Sequence, residues 1–311
     1  MKLPTKEILD QIVTVCRSCG QGNVGGESHR EWFDEVMAAY TRKRFDDDTR
    51  GLLAAVEREG RRGLIAARHG ELLKADALLS EAQRILESAP VSEEAHLLAE
   101  SMLCAQCAYY EFRRGNDAHA YELLERSFRN DLVLENQLGY HALHIHRVQL
   151  VHNTMRIAIR RGNLFSGIWL GHAVLAYLEN PDRRELNELT TPWCLGWTGG
   201  FAEHLPRELV RAMHAQVAGD VVGVFADATK DRALRQRIAD DFSPKQGGAV
   251  VGTQIDQWIN FRLAQLEGSY GDPFIVGVAL LRRGAEPSAP LWRSAAEGLI
   301  RLMSEVAAEL G

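Results

Sequence analysis

The sequence predicts an all-α fold on three observations. Apolar residues recur at helical spacing along most of the 311-residue chain. No convincing run alternates apolar and polar residues as a half-buried strand would. Residues 64–177 repeat one helix–turn–helix pattern three times: AARHGELLKADALLSEA around Gly70, EFRRGNDAHAYELLERS around Gly115 and AIRRGNLFSGIWLGHAV around Gly162. The turn glycines lie 45 (115 − 70) and 47 (162 − 115) residues apart, a period that marks stacked helical hairpins.

Each copy has a local physical logic. Glycine ends the first helix because it accepts the left-handed conformation without a Cβ clash. Glu71, Asn116 or Asn163 then opens the second helix, where a polar or acidic side chain offsets the orphan amides. Arg68 and His69, Arg113 and Arg114, and Arg160 and Arg161 precede the glycines, at the partially negative helix end. Small residues follow at five positions (Ala75, Ala120, Gly167), and Leu79 and Leu124 at nine. The small residues predict close helix approach, and the leucines fill the groove beside them.

Gly63, Gly70, Ala75, Leu79 and Ala82 resemble the tetratricopeptide (TPR) repeat, and Gly115, Ala120 and Leu124 restate it with Ser127 in the last place. The likeness spans residues 46–181. It implies an α-solenoid of TPR-like hairpins that binds a protein or peptide partner in a concave groove lined by the first helix of each pair. Carried onto this chain, that groove holds Tyr109, Phe112, Arg113, Gln149, His152, Asn153 and Arg156. Such an aromatic, basic and amide-rich strip suits an extended peptide, with an arginine on a carboxylate.

Taken in order, residues 5–17 read as a short helix with Ile8, Ile12 and Val15 on one side, followed by the Gly-rich CRSCGQGNVGGES. A second helix runs from Ser28 to about Lys43, with Trp32, Phe33, Val36 and Met37 inward. Asp46, Asp47 and Asp48 start the first repeat, Pro90 closes it, and Pro181 closes the third. Residues 182–205, containing TTPWCLGWTGGF, read as an aromatic connecting loop. Helices follow at 206–218, 221–240, 251–267, 273–284 and 291–309, with Gly219-Asp220 and Gly271-Asp272 as turns and the last helix as a cap. The predicted organisation is N-terminal helices and loop (1–45), three hairpins (46–181), the aromatic loop (182–205) and a C-terminal helical region (206–311).

Composition narrows the function classes. Hydrophobic residues at 46% and charged residues at 25% describe an ordinary globular chain. A net charge of −6 disfavours nucleic acid as a partner. No apolar run reaches about 18 residues, so no membrane span is expected. The N-terminus carries acids inside its apolar part and lacks a small-residue cleavage site, unlike a signal peptide. Five cysteines, an odd number, predict the reducing cytoplasm. Oligomeric state is not legible.

Several residue groups are candidates for chemistry. Cys16-x-x-Cys19 with His29 in range resembles part of a zinc site, and zinc is the cofactor it points to. Cys104 and Cys107 share that spacing but sit inside a repeat helix, where cysteine serves as a small apolar residue. His141, His144 and His152 share one helical face, while His146 points away. Trp193, Trp197 and Phe201, with Cys194, line a pocket or plug a gap between helical units. Gly20, Gly22 and Gly25 form a GxGxxG without the βαβ context that dinucleotide binding needs. The acid runs Asp46–Asp48 and Asp240–Asp241 lack the DDxxD spacing of class I prenyl-transfer enzymes. Two readings remain: a helical-repeat adaptor or regulator, or an all-α metal-dependent enzyme or accessory subunit using Cys16, Cys19 and the histidines.

Overall fold

The computed structural model describes residues 27–88, 90–179, 207–242, 253–267, 273–282 and 289–310. These form twelve helices and, among the described residues, no strand. The all-α prediction holds. The chain divides into two compact units; in described residues one holds 27–162 and the other 163–179 and 207–310. The division falls at Gly162, inside the third predicted hairpin, so the expected 46–181 block is split between the units.

The first unit contains α1 (Glu27–Arg44), α2 (Asp47–Arg68), α3 (Leu72–Ser88), α4 (Glu93–Arg114), α5 (Asp117–Leu138) and α6 (Leu143–Arg160). The acid run starts α2 as predicted: the Thr49 amide donates to Asp46 at 2.9 Å, and Asp47 and Asp48 sit in the first turn. Ser92 likewise accepts the Ala95 amide at the start of α4.

Gly70, Gly115 and Gly162 have φ of 81°, 81° and 76°, the left-handed values the repeat demanded. Behind the first two, the amides of Glu71 and Asn116 reach back to the carbonyls of Ala66 and Glu111, both at 2.9 Å. Gly139, with φ of 74°, makes a fourth such turn between α5 and α6. There Tyr140 donates to the Leu134 carbonyl at 3.1 Å.

In this unit α2 packs on α3 and α4, α3 on α4, α4 on α5, and α5 on α6. Gly63 is the contact point of the first pair: a Cβ there would lie 2.7 Å from Leu79 Cγ. One core joins Val56, Ala67, Leu79, Leu86, Leu103 and Tyr110. A second joins Leu98, Leu134, Tyr140 and Leu143, with Phe33, Met37 and Tyr40 of α1 packed on it. Arg44 fastens α1 by donating to Glu94 (2.8 Å) and to the Leu138 carbonyl at the end of α5 (2.5 Å).

The second unit contains α7 (Leu164–Glu179), α8 (Arg207–Ala228), α9 (Arg232–Phe242), α10 (Gln254–Glu267), α11 (Pro273–Arg282) and α12 (Ala289–Leu310). Its hub is α10, which touches α7, α9, α11 and α12. Phe261 fills the centre because Gly277 and Gly298 leave room; a Cβ on either would lie 2.7 Å and 3.0 Å from its ring.

One predicted turn is absent. Gly219-Asp220 lies inside α8, which runs unbroken from Arg207 to Ala228. The apolar stripe Val217, Ala218, Val221, Val224 and Phe225 is buried across the glycine. Continuing that stripe outweighs the roughly 1 kcal/mol that an interior glycine costs. The real break follows Ala228, where Asp231 caps α9 by accepting the amides of Ala233 and Leu234. Gly271-Asp272 lies outside the described residues. Among the described residues no helix is long and apolar enough to cross a membrane.

Candidate functional site

Arg68, Arg113 and Arg160 each stand two residues before a left-handed turn glycine. The repeat therefore places them at equivalent points, in the last turns of α2, α4 and α6. Each later arginine reaches back to the preceding equivalent helix. Arg113 Nη1 donates to the Arg68 carbonyl at 3.1 Å, and Arg160 Nη1 donates to the Phe112 carbonyl. The Arg68 carbonyl is one that a helix end leaves without an intrahelical partner, whereas the Phe112 carbonyl also accepts the Gly115 amide at 3.1 Å.

Aromatic rings lie between the arginines. The Arg68 guanidinium is 5.8 Å from the Tyr109 ring centre, and that of Arg160 is 4.4 Å from Phe112. Both distances are within cation–π range. Arg113 Nη1 also donates to the Tyr109 hydroxyl at 3.3 Å, and the two rings are 6.4 Å apart. The three arginines are exposed and both rings half-buried. The result is a ledge of alternating guanidinium and aromatic groups within the first unit.

The three helix ends together carry more positive charge than their dipoles require. Arg68, Arg113, Arg114, Arg160 and Arg161 stand at three helix termini, each equivalent to about half a negative charge. Glu111 lies 3.4 Å from Arg114 and Asp117 3.9 Å from Arg160. Five cations against two carboxylates and about one and a half dipole charges leave a local surplus of roughly one and a half. Among the described residues, Arg68 and Arg113 meet no carboxylate.

Of the seven residues expected along the groove, Tyr109, Phe112 and Arg113 come together on this ledge. Gln149 and Asn153 bond each other at 3.2 Å on α6, and Arg156 is exposed there. His152 is buried, at 2% exposed, and so is less accessible than a groove-lining residue is expected to be. It sits one turn from Gln149, whose amide is 3.4 Å from its Nδ1. Arg68 and Arg160 were missed as site residues. Their signal was present in the fixed offset from each glycine, but the helix dipole alone accounted for a cation there.

The histidines take separate roles. His141 is exposed. His144 is fully buried, with Nδ1 3.1 Å from Glu135 Oε1. Arg147, also fully buried, donates from Nε (2.9 Å) and Nη2 (2.5 Å) to Glu135 Oε2. His144 Nδ1 also lies 3.1 Å from Arg147 Nη2, a group that can only donate, so the three side chains form one contiguous buried cluster. Burial pushes Glu135 up, but the hydrogen bond from His144 and the Arg147 charge outweigh it and hold the carboxyl below its ordinary value. A guanidinium beside His144 opposes a metal cation there.

Asp131, fully buried, accepts from Ser101 Oγ (2.5 Å) and pairs with His146 Nδ1 (2.7 Å). Ser101 bonds the carboxylate instead of an imidazole nitrogen and is itself fully buried, so this Ser–Asp–His set does not activate a nucleophile. Cys104 and Cys107 are free, and burial pushes both thiols up to about 12, far from thiolate chemistry at neutral pH.

Among the described residues no group of three or more His, Cys, Asp or Glu side chains is arranged to hold a metal ion. Cys16, Cys19, Trp193, Cys194, Trp197 and Phe201 lie outside the described residues, as does the side chain of His29.

In the second unit, two acid–histidine pairs pin the start of α10. Glu179 accepts the amides of Gln254 and Ile255 and pairs with His214 Nε2 at 3.2 Å. Asp256 receives the Thr253 amide and hydroxyl, both at 2.7 Å, and pairs with His172 Nε2 at 2.6 Å. Burial pushes Asp256 up, but the hydrogen bond from His172 and those from Thr253 prevail and bring it to about 2. These pairs close a helix terminus and need no ligand to explain them.

Among the described residues the fold is all-α, and the ledge gathers exposed arginines against half-buried rings. The sequence matches no protein-family model, no curated protein and no solved structure.

Proposed function

We propose that residues 27–162 form TPR-like stacked hairpins that bind an extended peptide segment of a protein partner along the Arg68–Tyr109–Phe112–Arg113–Arg160 ledge. One observation carries this reading. An arginine recurs two residues before Gly70, Gly115 and Gly162, with an exposed guanidinium against a half-buried ring at two levels. Rings and planar cations spaced along successive helices give a peptide both apolar anchors and polar register. Such side chains dominate binding hot spots. The metal-enzyme alternative turns on Cys16 and Cys19, which lie outside the described residues.

The test is comparative capture from the source cell with the wild-type chain and a Tyr109→Ala/Phe112→Ala variant. Loss of a stoichiometric partner in the variant, at an unchanged melting temperature, supports the ledge. The isolated interaction should then weaken about tenfold or more, the scale of a hot-spot loss of roughly 1.4 kcal/mol or above. Full retention of the partner by the variant overturns it.

A further inference from the structure

We infer that Arg68, Tyr109 and Arg113 form a receptor for a phosphate monoester dianion, carried on a phosphorylated side chain of the bound segment. The inference rests on the peptide-ledge reading and names the chemistry of its anchoring group.

Arg113 and Arg160 each use a donor on the carbonyl of an earlier helix. Arg68 opens the series and caps no such carbonyl. Among the described residues its guanidinium meets only the Tyr109 ring, at 5.8 Å, so its planar fork of five N–H donors is open to a ligand. Arg113 spends Nη1 on the Arg68 carbonyl and the Tyr109 oxygen, leaving Nε and Nη2. Because the Tyr109 oxygen accepts from Arg113, its own proton is left to donate. Around one phenol the spare groups are all donors, which is the requirement for an anion.

Charge selects the anion. Two guanidinium groups flank Tyr109 with no carboxylate on either, so they repel until something negative arrives. A carboxylate brings one charge and matches one arginine fork. A phosphate monoester brings about −1.5 to −2 at neutral pH and three acceptor oxygens, enough for both arginines and the phenol. Arginine forks match phosphate bidentately.

The surroundings select the source. The whole chain is at −6, which works against a polyanion such as nucleic acid or an anionic membrane. Ile65, 43% exposed, lies one turn before Arg68 on α2, and Phe112 lies beside Tyr109 on α4. Apolar groups flanking the cations fit side chains either side of a phosphorylated residue, which free phosphate lacks.

The experiment screens the full-length protein against peptide libraries fixed at phosphoserine, phosphothreonine or phosphotyrosine with degenerate flanks. The same flanks carrying the unphosphorylated residue or Glu, and inorganic phosphate alone, are the other arms. A selected phosphopeptide is expected to lose about tenfold or more in affinity on dephosphorylation, with no rescue by Glu. Arg68→Gln should cause a similar loss with little change in melting temperature, because among the described residues the Arg68 side chain makes no hydrogen bond and its carbonyl, which accepts from Arg113, is kept. Arg113→Gln also removes a helix-end contact, so its affinity is read beside its melting temperature.

Equal affinity for phosphorylated and unphosphorylated peptides, or no effect of Arg68→Gln, overturns the phosphate receptor. In that case continued loss with Tyr109→Ala/Phe112→Ala leaves the ledge standing. Binding of inorganic phosphate with no preference among peptides overturns the peptide source. If no peptide binds and the captured partner ignores the ledge variants, the ledge and the receptor both fall.

Discussion

Arg147 and His144 have no exposed surface, yet both surround the carboxylate of Glu135, itself 3% exposed. Such a group holds only while each polar atom keeps its partner. Removing one member strands a buried charge, so Arg147→Ala should destabilise by about 3–5 kcal/mol. Arg147→Met combined with Glu135→Gln should cost less. Urea titration measures both, and equal costs would show that the single variant's penalty comes from lost volume.

His144 also makes stability depend on pH. Burial, helped by the neighbouring Arg147 charge, lowers it to about 4 against Glu135's opposite pull. In the unfolded chain it protonates near 6.5. Between these values the unfolded state binds the extra proton. Stability from this residue is therefore complete above about 6.5 and falls as pH drops toward 4. Each unit of depression corresponds to about 1.4 kcal/mol. The wild type should lose stability across that window more steeply than His144→Gln; parallel curves would assign the acid sensitivity to other groups.

At the scale of the helix, glycine decides where elements end and where they touch, and the surrounding atoms say which role applies. Gly219 and Gly223 lie within α8, and a Cβ on either meets nothing within 4 Å. Alanine at each should stabilise by about 0.5–1 kcal/mol through helix propensity. Gly63 is also helical, but its Cβ would press on Leu79 at 2.7 Å. Gly63→Ala should therefore lower the melting temperature while Gly219→Ala raises it. Thermal unfolding followed by circular dichroism separates the two, and a fall with both would mean that propensity does not control α8.

The same contrast shows what could be read from the residues. Gly70, Gly115 and Gly162 were legible because a basic pair precedes each and Glu or Asn follows. Gly139 escaped because Tyr140 follows it; that ring turns into the core, fully buried, and its hydroxyl donates to Glu94 at 2.7 Å. Gly219 carried the right punctuation, yet burial on either side kept the helix going. The ledge was half legible. Tyr109, Phe112 and Arg113 were expected from the TPR resemblance, whereas the contacts of Arg160 and Arg68 depend on which carbonyl each guanidinium meets. That is a tertiary fact with no local signature.

At the scale of the molecule, the chain divides into two compact units. The ledge belongs wholly to 27–162, whose cores are built around Leu79 and Leu134. The second unit is built around α10, with Trp258, Phe261 and Trp292 fully buried. Two separate cores predict two unfolding events that local substitutions can move one at a time. Gly115→Ala acts in the first unit. It forces a side chain into a left-handed conformation at φ of 81° and should cost about 1 kcal/mol. Gly277→Ala acts in the second, where a Cβ would lie 2.7 Å from the Phe261 ring; overpacking of this kind typically costs about 1–3 kcal/mol. Hydrogen exchange read by mass spectrometry reports each region of the intact chain. Gly115→Ala should weaken protection within 47–160 and leave 254–282 near wild type, and Gly277→Ala should do the reverse. If either variant lowers protection equally in both regions, the two cores open as one cooperative body. A partner bound on the ledge would then stabilise the second unit together with the first.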